Sequence, residues 1–210
     1  MLQPTFNIKE ITMQFPLQYP LNLSFKIIAV APQLSVRDAN NNLIFYVKQK
    51  LFKLKEAVTV FGDEQQTQPL FAINADRMID FSARYNFTDQ QGISLGAVKR
   101  QGMRSLWKAH YNILDGETSV MNIQEENAWV KVMDGLFGEI PILGMFSGYV
   151  FNPAYLVSRP DGTVVMRMEK QPAFLEGKFK IEQKNTLNES EEKRALLSLM
   201  MMLLLERKRG

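Results

Sequence analysis

The chain has 210 residues, 46% of them hydrophobic and 22% charged, a globular make-up that excludes a disordered or collagen-like protein. Its formal net charge of +3 is too small to point to nucleic acid as a partner. With no cysteine, disulfides, thiolate metal sites and a cysteine nucleophile are excluded, and a reducing compartment such as the cytoplasm fits.

The opening MLQPTFNIKEITMQFPLQYP has neither a basic start nor a continuous apolar stretch, so no signal peptide is expected. Pro4, Pro16 and Pro20 instead predict an extended, partly irregular lead-in over residues 1–21. From about residue 23 the hydrophobic pattern has period two, the mark of half-buried strands. The clearest case is IDFSARYNF (79–87), with Ile79, Phe81, Ala83, Tyr85 and Phe87 on one face and Asp80, Ser82, Arg84 and Asn86 on the other. WKAHYNI puts Trp107, Ala109, Tyr111 and Ile113 on its apolar side, and FLEGKFKIE sets Leu175, Phe179 and Ile181 against Glu176, Lys178, Lys180 and Glu182. Turn chemistry separates such segments: DANNN (38–42), FGDE (61–64), TDQQG (88–92), DG (115–116) and RPDG (159–162). About a dozen short strands at this spacing predict a sandwich or barrel, and the lack of long helices between them argues against a parallel α/β sheet. No fixed-period repeat or low-complexity linker divides the chain, so one domain is expected.

Two segments break the rhythm. In ENAWVKVMDGLFGEIP, Trp129, Val132, Met133, Leu136, Phe137 and Ile140 fit an amphipathic helix stopped by Pro141, although Gly135 and Gly138 leave AWVKVM open to a strand reading. The second is RALLSLMMMLLLERKR. Residues 195–205 carry no charge, and Ser198 is their one polar side chain. Asn188 followed by Glu191 resembles a capping box, with Ser190 as an alternative cap. Glu189, Glu191 and Glu192 suit the positive end of a helix dipole, and Arg207, Lys208 and Arg209 the negative end. A helix over 188–207 that is apolar all round must be buried on every side. Eleven apolar residues span about 16 Å at the helical rise, against about 30 Å of bilayer hydrocarbon, so the burial is in protein. The expected fold is therefore mainly β: a closed antiparallel barrel of about twelve strands (22–186) around a buried hydrophobic C-terminal helix. Ser198 would satisfy its hydroxyl on a carbonyl one turn earlier.

This layout is that of the tubby-like barrel superfamily, and residues 45–101 narrow the likeness. FYVKQKLFKLKEAVTVFGDEQQTQPLFAINADRMIDFSARYNFTDQQGISLGAVKRQ contains a strand ending in a basic residue with a Phe-containing turn. A hydrophobic strand, an acidic turn and another strand follow, then D-x-x-G before a strand ending in a basic pair. The pattern resembles the LURP-one-related group and extends over most of 22–207, without a catalytic signature. The superfamily includes phosphoinositide-binding tubby proteins, phospholipid scramblases and plant defence-related members. The resemblance implies a barrel with a central helix and an association with membrane lipid. Residues 135–157 are longer and more apolar than the general pattern requires.

The remaining chemistry is sparse. His110, the single histidine, shares a polar strand face with Lys108 and Asn112 and reads as solvated. No His/Asp/Glu cluster has metal-ligand spacing, and DANNN lacks the carboxylates of a calcium loop. Gly92, Gly96 and Gly102 bracket a strand and lack the Lys-Ser/Thr of a phosphate loop. Glu125 and Glu126 read as a helix start, and without a cysteine or a second histidine a nucleophile triad has little to build on. No cofactor, metal or enzymatic activity is expected. Two acid-free basic groups stand out: Lys48, Lys50, Lys53 and Lys55, and Lys99, Arg100, Arg104 and Lys108. They are either solubilising edge positions or one cationic face for anionic phospholipid or phosphoinositide. Headgroup contacts would then come from Lys48, Lys50, Lys53, Lys55, Arg100 and Arg104. Residues 136–157 hold one charge, Glu139, and could supply an apolar membrane or partner contact through Phe137, Phe146 and Phe151, or complete the barrel core. The expectation is a non-enzymatic binding module, cytoplasmic and peripheral to membranes. A protein–protein adaptor and a carrier or enzyme using the lumen are the alternatives.

Overall fold

A computed structural model describes residues 17–26, 33–48, 57–77, 83–101, 110–126, 153–173 and 176–207. They form twelve strands: β1 (Leu21–Lys26), β2 (Gln33–Arg37), β3 (Leu43–Lys48), β4 (Val58–Phe61), β5 (Pro69–Ala75), β6 (Arg84–Asp89), β7 (Ser94–Arg100), β8 (His110–Asp115), β9 (Thr118–Glu125), β10 (Ala154–Ser158), β11 (Val164–Gln171) and β12 (Glu176–Gln183). One helix follows, α1 (Glu189–Arg207). Every strand pairs antiparallel with its neighbours in sequence, and β1 pairs with β12 to close the barrel. Closure removes the exposed edges that an open sheet of this length would carry.

Alternation decides which side chains point inward. On β1, Leu21, Leu23 and Phe25 are buried while Asn22 and Lys26 are exposed. On β6, Tyr85 and Phe87 are buried with Ala83 before them, so the 79–87 pattern faces as predicted over its described part. β12 adds an inward residue that the alternation of large side chains passes over, Gly177. The lumen created by these inward rows is filled by α1. Residues 195–204 are buried without exception, Ser198 and the three methionines among them. Ser198 Oγ donates to the Arg194 carbonyl at 2.7 Å, so the one hydroxyl in the apolar run is satisfied within the helix.

Five tight turns join strands at one end of the barrel, called the turn end here, and α1 enters there. Asn188 caps it: Asn188 Oδ1 accepts from the Glu191 N–H at 2.9 Å, and Glu191 Oε2 accepts from the Asn188 N–H at 3.1 Å. Arg159, from the β10–β11 turn, forks onto the same carboxylate through Nε at 3.0 Å and Nη2 at 2.9 Å. Tyr19 donates its hydroxyl to Glu192 at 2.7 Å, and buried Leu17 beside it belongs to the core. One turn further in, Arg194 reaches the barrel wall. Its Nε donates to the Leu95 carbonyl at 2.8 Å and its Nη2 lies 2.8 Å from Asp115 Oδ2. Gly96, beside it on β7, has φ +116° and faces Arg194 with no side chain of its own.

The amphipathic template at 129–140 and most of the apolar stretch 136–157 lie outside the described residues. The last residues of that stretch include the start of β10, where Ala154 and Val157 are buried.

Candidate functional site

The turn end of the barrel differs in charge from the rest of the chain. At the turn end, over residues 17–20, 37–43, 61–69, 89–94, 115–118, 158–164 and 184–194, there are ten carboxylates and five cations, a net of −5. The whole chain is +3, so the remaining residues carry a net +8.

Turn chemistry accounts for half of these carboxylates, and the first turn of α1 adds Glu189, Glu191 and Glu192. Asp38 accepts from the Asn40 and Asn42 N–H groups at 2.9 and 2.8 Å, and Asp89 from Gln91 and Ile93 at 3.0 and 2.8 Å. Asp63 accepts from Gln68 at 2.8 Å and Asp161 from Thr163 at 2.9 Å. Each aspartate closes its turn as a carboxylate. Asp115, in the remaining turn, is taken by Arg194.

These bonds predict a loss of stability in acid. The Arg159 guanidinium holds Glu191 below the usual carboxylate range. Asn42 holds Asp38 low, and the Thr163 N–H does so for Asp161. Burial pushes Asp63 and Asp76 up, but backbone hydrogen bonds outweigh it and leave both lowered. Arg167 lowers Glu169, and Lys180 and Lys184 bring Glu182 down to about 2. Among the described carboxylates Glu192 has the opposite sign, raised chiefly by burial. A carboxylate lowered on folding stabilises above its unfolded pKa, and that contribution is lost as pH falls through its folded value. The melting temperature should therefore fall from pH 4.5 toward about 2, the lowered value of Glu182. Thermal scans across that window check this, and a flat profile would contradict it.

At the far end, α1 is latched by a smaller group. Tyr111 donates its hydroxyl to Glu206, whose carboxylate lies 3.8 Å from Arg100 Nη2. The Arg100 guanidinium sits 5.9 Å from the Tyr111 ring centroid. Burial, and then the Glu206 bond, push the Tyr111 hydroxyl well above the ordinary phenol range.

Of the residues expected to contact a headgroup, two are described and they are not together. Arg100 shares the inward parity of buried Val98 and closes the mouth beside Glu206, with its side chain 13% exposed. Lys48 ends β3 on the outer face, exposed. Its cross-strand partner is Gln33 on β2, whose partner on β1 is Lys26, also exposed. Lys26, Gln33 and Lys48 thus form one row across three strands, with the Ser24–Ser35 hydroxyl pair, 3.2 Å apart, two residues further along β1 and β2. Glu176 on β12 extends the row and is held by Lys178 at 3.2 Å. Neither Lys26 nor Lys48 has an ion-pair partner among the described residues, whereas Arg37, Arg159, Lys184, Lys193 and Arg194 at the turn end are all paired. Lys26 was missed by sequence reasoning because only register reveals its neighbour.

Lys50, Lys53, Lys55, Arg104, Phe137, Phe146 and Phe151 lie outside the described residues. Among the described ones, Ile93 alone is large, apolar and exposed. His110 lies on the outer face with Nε2 3.4 Å from the Gln124 amide nitrogen, and no three His, Asp or Glu side chains are grouped as metal ligands among the described residues. No described helix is long and apolar enough to cross a bilayer.

A family model described as LURP-one-related matches residues 43–182, from the start of β3 to the penultimate residue of β12. No curated protein and no solved structure matches the chain.

Proposed function

Because the chain belongs to the LURP-one-related family, we propose that it is a non-enzymatic binding module that associates peripherally with anionic phospholipid or phosphoinositide surfaces. The observation that carries this reading is the filled lumen. Small-molecule sites are concave and part-empty, whereas α1 occupies the interior that a carrier or enzyme of this fold would use. Binding is then left to the outer surface, where the cations are unevenly spread. A protein partner is the reading to adopt if lipid fails.

Pelleting with vesicles tests it. The protein should sediment with phosphatidylcholine vesicles containing phosphatidylserine or phosphoinositide, and much less with phosphatidylcholine alone. Added salt should release it, because the screening length shrinks from about 10 Å at 0.1 M to about 3 Å at 1 M. Absence of binding at low salt would remove the lipid reading.

A further inference from the structure

The charge distribution and the β-register together say how such an association would be oriented. Lys26 and Lys48 stand on the outer face about two strand spacings, or roughly 10 Å, apart, with the Gln33 amide between them. Both are the last residues of strands that run away from the turn end, so they mark the far rim. The acids nearest them in the row do not cancel them, since Glu176 is engaged by Lys178. The opposite end carries a net −5, with all five of its cations already neutralised by carboxylates. Nineteen residues of α1 separate the ends, about 28 Å at the helical rise. That is close to three screening lengths of about 10 Å at 0.1 M salt, so a surface touching one end does not sense the other.

We propose that the Lys26–Gln33–Lys48 row is the contact for an anionic bilayer, and that the barrel docks by this rim with its acidic turns facing away from the lipid. The inference rests on the lipid-binding reading above and adds the face and the direction. Reversed docking would press an end of net −5 against a negative surface. A docking face set only by net charge would be indifferent to which lysines are changed. This one is not.

Two double reversals with the same change in net charge separate these cases in the full chain. Lys26→Glu/Lys48→Glu alters the row, and Lys184→Glu/Lys193→Glu alters the turn end. The probe is phosphatidylcholine vesicles containing phosphatidylserine, with melting temperature recorded for each variant. Each lysine at such a surface contributes about fivefold in partitioning, so the row variant should bind roughly thirtyfold or more weakly. The turn-end variant should bind within a few-fold of wild type. Lys26→Gln/Lys48→Gln gives the same direction with a smaller loss, and serves if the glutamates disturb folding. Equal losses from both reversals, or none from the row, overturn the proposal while leaving lipid binding intact. Failure of the wild type to bind overturns both.

Discussion

Leu199→Glu should leave the protein largely unfolded at room temperature. Leu199 lies mid-way along α1 with none of its surface exposed, among Leu197, Met200 and Met202, which are equally enclosed. The substitution removes an apolar side chain from a packed lumen, a loss of about 2–5 kcal/mol for large-to-small changes of this kind. It also leaves a carboxylate without water or a cation, at several kcal/mol more, or forces it to take up a proton at comparable cost. Together these approach the whole stability of a typical domain, about 5–15 kcal/mol. Leu199→Met, which keeps volume and polarity, should cost under about 1.5 kcal/mol. Urea unfolding of both variants is the measurement. If the glutamate variant unfolds at the wild-type midpoint, α1 is not the filling of the barrel.

Gly96→Ala should also be strongly destabilising, although it adds a single methyl group. At φ +116° the backbone of Gly96 is in a region closed to residues with a side chain, and enforcing it costs about 1–3 kcal/mol. The new carbon would overlap the Leu114 carbonyl oxygen and lie 2.5 Å from Arg194 Nε. Arg194 would have to leave both the Leu95 carbonyl and Asp115; Asp115 stays solvated, its side chain being 60% exposed, but stranding the buried guanidinium without partners costs about 1–3 kcal/mol. Gly116→Ala is the matched control. It too has positive φ, +57°, but nothing lies within 4 Å of the added carbon, so only about 1–2 kcal/mol of backbone cost applies. Equal melting temperatures for the two variants would show that Arg194 does not depend on Gly96.

The features that could be read from sequence are those whose cause is local. The charge-free run at 195–205 and the Asn188/Glu191 cap are written in adjacent residues, and both behave as expected. The alternation from Ala83 to Phe87 is local as well. Arg194 was not legible. Beside three glutamates it reads as a surface cation at a helix start, and its partners Leu95 and Asp115 are far away in the chain. Gly96 reads as one of several glycines around a strand until the arginine is placed against it. The described members of the basic groups show what sequence spacing leaves out. Lys99 and Arg100 are adjacent in a strand, so they must point to opposite faces, and Arg100 turns to the mouth while Lys99 stays outside. Lys48 gains a neighbour, Lys26, that lies far before it in sequence, because the β1–β2–β3 register aligns them.

The order of elements along the chain has a consequence for how the protein is made. Synthesis runs from the N-terminus, so all twelve strands leave the ribosome before α1 does. Each of the eleven hairpin pairings can form as its second strand emerges, but β1 must wait for β12, and the apolar inner rows wait longer still for the helix. During that interval the nascent chain presents an unfilled cylinder lined with Leu, Val, Ile and Phe, the kind of surface on which chains aggregate or chaperones bind. Slow translation across residues 184–207 should therefore lower the yield of folded protein far more than the same slowing in the lead-in.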